Sequence, residues 1–554
     1  MDNESGSAAQ VEVKEVDAAV IGAGIAGLYA VHKLRNELQL QVQAFDAAEG
    51  IGGTWWWNCY PGARSDIEST AYCFAFDPDL SRKWKWSARY PRQDEILAYL
   101  DKVVDRYDLR RSIKLGTTIE RAWFDEDRRR WQLLTDAGER WSAQFLIECV
   151  GILAAVNVPP FPGLESYRGD VFHTSRWPRE PVDFSGKRVG VIGTGSTGVQ
   201  VIVELATLAD HLTVFQRSPQ YTVPARHGPI DQATVQRMAF DHEAYWAEVR
   251  ATRFAGGFAE GEISALSVSD AEREEILERS WQRGGALQFM FGNFNDILIN
   301  AAANDLAADF VRRKIAGIVE DPATARKLTP QEPYARRPIC CDNYYETFNR
   351  QNVTLVDLKA DPIVEITTEG IRTKSGEHQL DAIVLATGFD AVSGTFLKID
   401  QRGRGGESLR ERWADRPRSC LGLMTAGFPN MFMSFGPMSA AGNHFPVMEI
   451  QMDWITEVIE MMRGQGLETI EPTEESEAAW VELCDGLSED SLFMKVRSWA
   501  NGGNIEGRRP MVLLNMGGVA NYIEHLRDWR QEIETRFTFT SPDPSLALGA
   551  APND

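Results

Sequence analysis

The 554-residue sequence is short of several things, and each shortage removes a class of function. Its longest apolar stretches, such as "VIGAGIAGLYAV", are too brief and too rich in glycine to cross a bilayer, so no transmembrane helix and no membrane partner are expected. Cationic side chains are scarce beside anionic ones, 58 against 80, which leaves a formal charge of −22. Such a surface repels phosphate backbones and argues against a nucleic-acid partner, so a negatively charged cofactor has to be met by local positive groups. Seven cysteines, an odd number at irregular spacing, make neither a disulfide framework nor a zinc-ligand set, and no metal site is predicted. The adjacent Cys340 and Cys341 read as buried, unreactive thiols, and the compartment as reducing and cytoplasmic. The stretch "MDNESGSAAQVEVKEVD" has neither the basic start nor the apolar middle of a secretory signal; it reads as a disordered tail, as does "TSPDPSLALGAAPND".

What is present begins with a motif used twice. "VDAAVIGAGIAGLYAVHKL" is a β-branched and alanine run that breaks at Gly22, Gly24 and Gly27 and continues with helical periodicity; "KRVGVIGTGSTGVQVIVEL" repeats the design at Gly193, Gly195 and Gly198. Strand, tight turn and helix in that order make two dinucleotide sites. After the first, "LQVQAFD" delivers Asp46, where a carboxylate can hold a ribose diol. After the second, "HLTVFQRS" ends in Gln216, Arg217 and Ser218 with no acid, so a 2′-phosphate would find a guanidinium. The first site suits an adenosine with free hydroxyls and the second NADPH, a pairing that suggests FAD receiving hydride from NADPH. The fold class that follows is α/β, two Rossmann-like dinucleotide-binding domains.

From about Val223 to Leu328 the pattern turns helical, with Ser269 and Glu272 at capping-box spacing and an apolar stripe in "DILINAAANDLAADFVRRKIAGIV", so a helical insertion in the second domain is expected. "NVTLVDL" reads as a strand, "IVEITTEGIRTKSG" as a hairpin, and "LDAIVLATGFD" as a buried strand ending in an open turn at Gly388, with "FLIECVG" its counterpart in the first half. Met448, Met452, Ile455, Ile459 and Met462 form a helical stripe that reads as core. The boundaries this gives are an FAD-binding part over 1–155, an NADP-binding part over 156–222, the insertion over 223–328, a second NADP-binding part over 329–384, and a second FAD-binding part with tail over 385–554.

The stretch "GGTWWWNCYPGARSD" separates this chain from the disulfide reductases. There a cysteine pair would follow "GGT"; here Trp55 stands in place of the first thiol and only Cys59 remains, so oxygen becomes the natural electron acceptor. Just before the second glycine turn, "YRGDVFHTSRWP" sets Gly169, His173, Trp177 and Pro178 in a G-x-x-x-H-x-x-x-W-P spacing. This resembles the fingerprint of type I Baeyer–Villiger monooxygenases, and Gly53, Trp55, Tyr60, Pro61, Gly62 and Asp66 resemble their second signature. The likeness runs from about Ala18 to Arg509, with Tyr167 standing where the family usually has phenylalanine and Ala500 and Glu506 where it has tyrosine and proline.

The resemblance implies a chemistry and a set of residues. NADPH reduces the flavin, O2 adds to give a flavin peroxide, and this attacks a ketone that rearranges to an ester or lactone. Arg337, placed by its distance from Tyr344 and Tyr345, would stabilise the peroxide; Asp66 would orient it, with a helix N-cap before "DIESTAY" as a second use. Arg336 would meet the 2′-phosphate, and Trp499 would lie over the nicotinamide. Around the cofactors the resemblance also places Thr54, Trp55, Tyr72, Ile119, Thr194, Ser196, Thr197 and Gln200, with the tryptophans and Tyr60 walling the flavin. His173 would couple the domains, and His444 would sit on the pocket loop, whose length resembles the cyclohexanone-oxidising members and points to cyclic or bulky ketones. The partners are then a ketone and O2, for a monomer or a homo-oligomer alike. The alternative is a flavin-containing monooxygenase acting on nitrogen or sulfur, which would not need Arg337 with Asp66.

Overall fold

Two sheets, each holding one glycine turn, organise the chain; the computed structural model describes residues 12–542. The first runs in the order Asp400–Arg402, Ile119–Asp125, Arg130–Thr135, Arg140–Glu148, Val13–Ile21, Val42–Phe45, Ile113–Lys114, with Met431–Met433 added along Arg140–Glu148. The second, parallel throughout, runs Val353–Asp357, His211–Gln216, Arg188–Ile192, Ala382–Leu385, Asp170–His173. Central strands covered on both faces need apolar residues without alternation, which is why both glycine motifs follow continuous alanine and β-branched runs.

The turns show why glycine recurs at the same offsets. Gly22 has φ +109° and a Cβ there would lie 2.3 Å from the Cys149 carbonyl oxygen; Gly193 has φ +110° and its Cβ would lie 2.4 Å from that of Ala386. Cys149 follows the strand of "FLIECVG" and Ala386 that of "LDAIVLATG", so the two halves pack their turns on equivalent strands.

Six helices, Gln232–Phe240, His242–Arg250, Asp270–Arg283, Ala286–Phe291, Ala301–Ile318 and Pro322–Leu328, fill the expected insertion. The Ser269 hydroxyl accepts the Glu272 backbone N–H at 3.3 Å. The stripe expected to begin at Asp296 becomes helix only at Ala301, because Asn300 caps it by accepting the N–H groups of Ala302 and Ala303. Asp296 turns instead to Ser264 and the Ala265 N–H. Ile363–Ile366 and Gly370–Thr373 pair as the antiparallel hairpin. The long helix His444–Gln465 buries Met452, Ile455, Ile459 and Met462 in the first core, and Met448 also reaches the central cavity.

Two local readings change. Val13 to Asp17 belong to a strand, not a tail: Val13–Val16 pair in register with Arg140–Ala143, since a neighbouring strand with free N–H and C=O groups recruits even polar residues. Thr540 likewise closes the strand Phe537–Thr540 against Thr469–Pro472. The remainder of the expected tails, 1–11 and 543–554, lies outside the described residues.

Candidate active site

A cavity of about 1550 Å³ runs from one glycine turn to the other. Of the residues assigned to the site from sequence, Gly22, Gly24, Asp46, Thr54, Trp55, Asp66, Tyr72, Ile119, Gly193, Thr194, Gly195, Ser196, Thr197, Gln200, Arg217, Ser218, Arg336, Arg337 and Trp499 all line it. Gly27 and Gly198 do not. A Cβ on either would strike the carbonyl oxygen of Gly22 or Gly193, at 1.9 and 2.2 Å, so they serve helix-to-strand packing behind the turn.

Between the turns stands a fork. Arg337 donates from Nη1 to Asp66 Oδ2 at 2.8 Å and from Nη2 to Asp66 Oδ1 at 2.9 Å, and Nη1 also donates to Ser196 Oγ at 2.8 Å. Ser196 is the first residue of the helix behind the second turn, so one guanidinium ties the first signature to the second nucleotide turn. Its side chain keeps 37% of its surface open and that of Asp66 13%. Burial works against the charge on Arg337, but the facing Asp66 carboxylate outweighs it and holds the group firmly protonated. "DIESTAY" forms turns and no helix, so Asp66 is not an N-cap; both its oxygens go to Arg337.

The three tryptophans divide the work. Gly52 and Gly53, at φ +118° and +55°, reverse the chain into the short helix Thr54–Trp57. Trp55 and Trp57 line the cavity; Trp56 does not, and a Cβ on Gly50 would meet its ring at 1.9 Å. Trp55 Nε1 donates to the Tyr72 hydroxyl at 3.1 Å. Arg176 stacks 4.1 Å from the Trp57 ring and Arg179 3.3 Å from the Trp56 ring, so the segment around Trp177 clamps the tryptophan helix through two cation–π contacts. Tyr60 donates to Gln200 Oε1 at 2.7 Å, a third link between the halves.

The two ends differ in charge. Asp46 accepts the N–H groups of Ala23 at 2.6 Å and Ala48 at 2.8 Å, which holds the first turn in shape; burial raises its pKa despite both bonds. At the other end Arg217 is exposed after its strand, and Lys359 follows the neighbouring strand, whose Asp357 pairs with Gln216. Arg336 is bonded to Glu332, which Lys359 also approaches at 3.9 Å. Nine lining residues are Arg or Lys and four Asp or Glu, a basic interior in a chain of net charge −22.

His173 sits at a crossing of segments. Its Nδ1 accepts the Ser175 N–H at 3.2 Å, which leaves Nε2 to donate to Thr387 Oγ1 at 3.3 Å, and Thr387 donates to the Asn157 carbonyl. Burial lowers its pKa to about 4, so it is neutral at physiological pH. Tyr167 spends its hydroxyl on the Leu380 carbonyl at 2.9 Å, an anchor that phenylalanine would lack. The loop around Trp499 is fastened by Asn504 to the Phe389 carbonyl and by Arg508 to Asp390, at the linker after Gly388. Cys340 and Cys341 form no disulfide, and burial pushes both thiols up.

Comparison with known proteins agrees with this architecture. Residues 14–231 match the flavin-binding monooxygenase-like family. The chain is 50% identical over 509 residues to a Baeyer–Villiger monooxygenase of Pseudooceanicola batsensis, covering 92% of this chain and 93% of that one. It belongs to the type I Baeyer–Villiger monooxygenase family. A phenazine N-monooxygenase of Lysobacter antibioticus is 49% identical over 92% of this chain and 95% of its own. Cyclohexanone monooxygenase from Rhodococcus sp. Phi1 bound to NADP+ superposes with a TM-score of 0.94 at 45% identity, covering 96% of this chain and 100% of that one. The enzyme is an FAD- and NADPH-dependent flavoprotein monooxygenase. Its cavity fits both groups: the glycine turns face it, a Cβ on Gly195 would meet nothing within 4 Å, and the basic interior offsets phosphate charge.

Sequence reasoning missed Arg176, Lys359 and the aromatic wall of Phe254 and Phe291, all of which line the cavity. For Arg176 a signal existed, a cation three residues after His173 and directly before Trp177; for the wall there was none, because it comes from the helical insertion. Among the described residues no helix is long and apolar enough to cross a membrane.

Proposed function

We propose that the enzyme inserts one atom of O2 beside a ketone carbonyl to give an ester or lactone, with FAD along the first turn and NADPH along the second. Flavin reduced by NADPH supplies the activated oxygen. The chain's own residues then have two tasks: to hold the negative charge developing on that oxygen without protonating it, and to keep water away. One observation carries this reading, the Arg337 guanidinium gripped by Asp66 at 2.8 and 2.9 Å inside the cavity between the two turns. An arginine stabilises such a charge by hydrogen bonding and does not surrender its proton near neutrality. Asp66 fixes the guanidinium plane, and Trp55, Trp57 and Tyr60 wall the ring side of the cavity. Asp46 holds the ribose of the first nucleotide; Arg217 and Arg336 meet the 2′-phosphate of the second, Arg336 exchanging Glu332 for the phosphate.

The likeness to the phenazine N-monooxygenase favours a second reading, oxygenation at nitrogen or sulfur. A panel of cyclic ketones, an alkyl aryl sulfide and an N-heteroaromatic, incubated with NADPH and O2 and read by product mass spectrometry, separates the two. The first reading expects ester or lactone equal to the NADPH consumed. N-oxide or S-oxide alone, or only hydrogen peroxide across all ketones, overturns it.

A further inference from the structure

His444 lines the cavity and has no part in the proposed mechanism. We propose that His444 is a substrate-binding residue whose imidazole donates a hydrogen bond to a heteroatom in a flat two-ring ketone, so that the enzyme favours such ketones over all-carbon ones of the same shape. This rests on the ketone reading and names the kind of ketone.

The geometry starts from the helix that His444 opens. Asn443, just before it, anchors the helix start by donating to the carbonyls of Ala71 at 2.6 Å and Ala255 at 3.0 Å. His444 is thereby set on the cavity wall, its ring 4.6 Å from that of Phe435 at 56°. Among the described residues neither ring nitrogen has a hydrogen-bond partner. A donor on the cavity wall that no protein group takes up is open to a ligand atom, and a hydrogen bond to it adds to that ligand's affinity.

The surroundings select shape. Phe254 and Phe291, both lining the cavity, stack on one another at 5.3 Å and 26°, and the small side chains of Ala440 and Ala441 line it close to His444 in the chain. An aromatic wall of this kind takes the face or edge of a fused-ring ketone. Burial and the nearby positive Arg337 both depress the imidazole, to a pKa of about 4, so through the neutral range it carries one donor and one acceptor and adds no charge to compete with Arg337.

The test uses 4-chromanone and 1-tetralone, which differ by one ring oxygen in place of a methylene. Their dissociation constants are read from the change in the flavin spectrum of the holoenzyme, and lactone formation is followed beside them, in wild type, His444→Leu and His444→Gln. The wild-type preference for 4-chromanone is expected to fall about fivefold in His444→Leu, the share of one neutral hydrogen bond, and to be largely kept in His444→Gln. Flavin content is measured in each variant, so that the dissociation constants are compared on holoenzyme of equal loading. A preference unchanged in His444→Leu overturns the assignment even if both ketones yield lactone. A preference that falls while neither ketone is oxygenated supports the His444 site and overturns the ketone reading instead.

Discussion

At the first turn a Cβ on Gly24 would lie 3.3 Å from the Cα of Gly53, whereas at the second turn one on Gly195 would meet nothing within 4 Å. The two turns share their strand, their helix and the carbonyl that forces glycine at the first position. They part in what closes over them. The loop carrying Gly53 folds onto the first turn and Asp46 holds that turn by accepting the Ala23 N–H, while the second is left open beside an exposed Arg217. A covered cradle suits a group that stays through many turnovers, and an open one suits a group that enters and leaves; the same fold is finished for a resident and for a visitor.

The largest effect expected from breaking this comparison is at Gly22. Alanine there has to hold φ +109° with its Cβ 2.3 Å from a carbonyl oxygen, so Gly22→Ala should lose FAD and fold poorly. The ratio of flavin to protein absorbance after purification reads this, and full flavin loading contradicts it. Gly195→Ala sharpens the point from the other side: it strains no protein neighbour, so the Tm of the NADPH-free enzyme should stand while NADPH affinity drops, by calorimetry.

Arg217→Ala should come next. Charge-assisted hydrogen bonds contribute about 1.5–3 kcal/mol, so the preference for NADPH over NADH, as a ratio of kcat/KM, should shrink by about tenfold or more. Smaller still is Arg508→Ala, which frees the Trp499 loop from Asp390 at the linker. A partly exposed pair is worth about 1 kcal/mol at most, so a few-fold rise in hydrogen peroxide per NADPH is expected, with restoration when the charges are exchanged between the two positions.

A last effect, read in stability and not in turnover, concerns a difference between equivalent strand ends. Glu148 ends its strand opposite Ile21, where the second sheet has Leu385 opposite Ile192. Burial raises the Glu148 pKa to about 8, well above the 4.5 of a free carboxyl. A raised folded-state pKa means that its share of stability is complete below about pH 4.5 and is lost as pH climbs through about 8. Glu148→Gln should therefore flatten the fall in Tm over that window, and an unchanged pH slope would contradict the assignment.

The glycine turns were legible because a steric demand falls on one residue type at fixed offsets. Asp66 and Arg337 were not legible in that way: 271 positions separate them, and only the family resemblance joined them before their bidentate geometry was seen. The helix expected at "DIESTAY" is replaced by turns, and Asp66 directs both oxygens to Arg337. Trp56 and Trp57 look alike in sequence, yet only packing, with Arg179 over one and Arg176 over the other, decides which faces the cavity. The pocket walls were the least legible, because Phe254 and Phe291 come from the insertion and Phe435 from the last third of the chain, and of these wall residues the family resemblance had placed only His444.

The central claim is that the guanidinium held between the two turns stabilises charge on oxygen. The most direct measurement is the yield of ester or lactone per NADPH consumed by Arg337→Ala, in a preparation whose flavin content and flavin reduction by NADPH are measured alongside. Full flavin, reduction by NADPH still detectable, and a product yield lowered by at least about a hundredfold are the predicted result, the scale of losing one preorganised charge-stabilising donor. A yield equal to that of the wild type would contradict it.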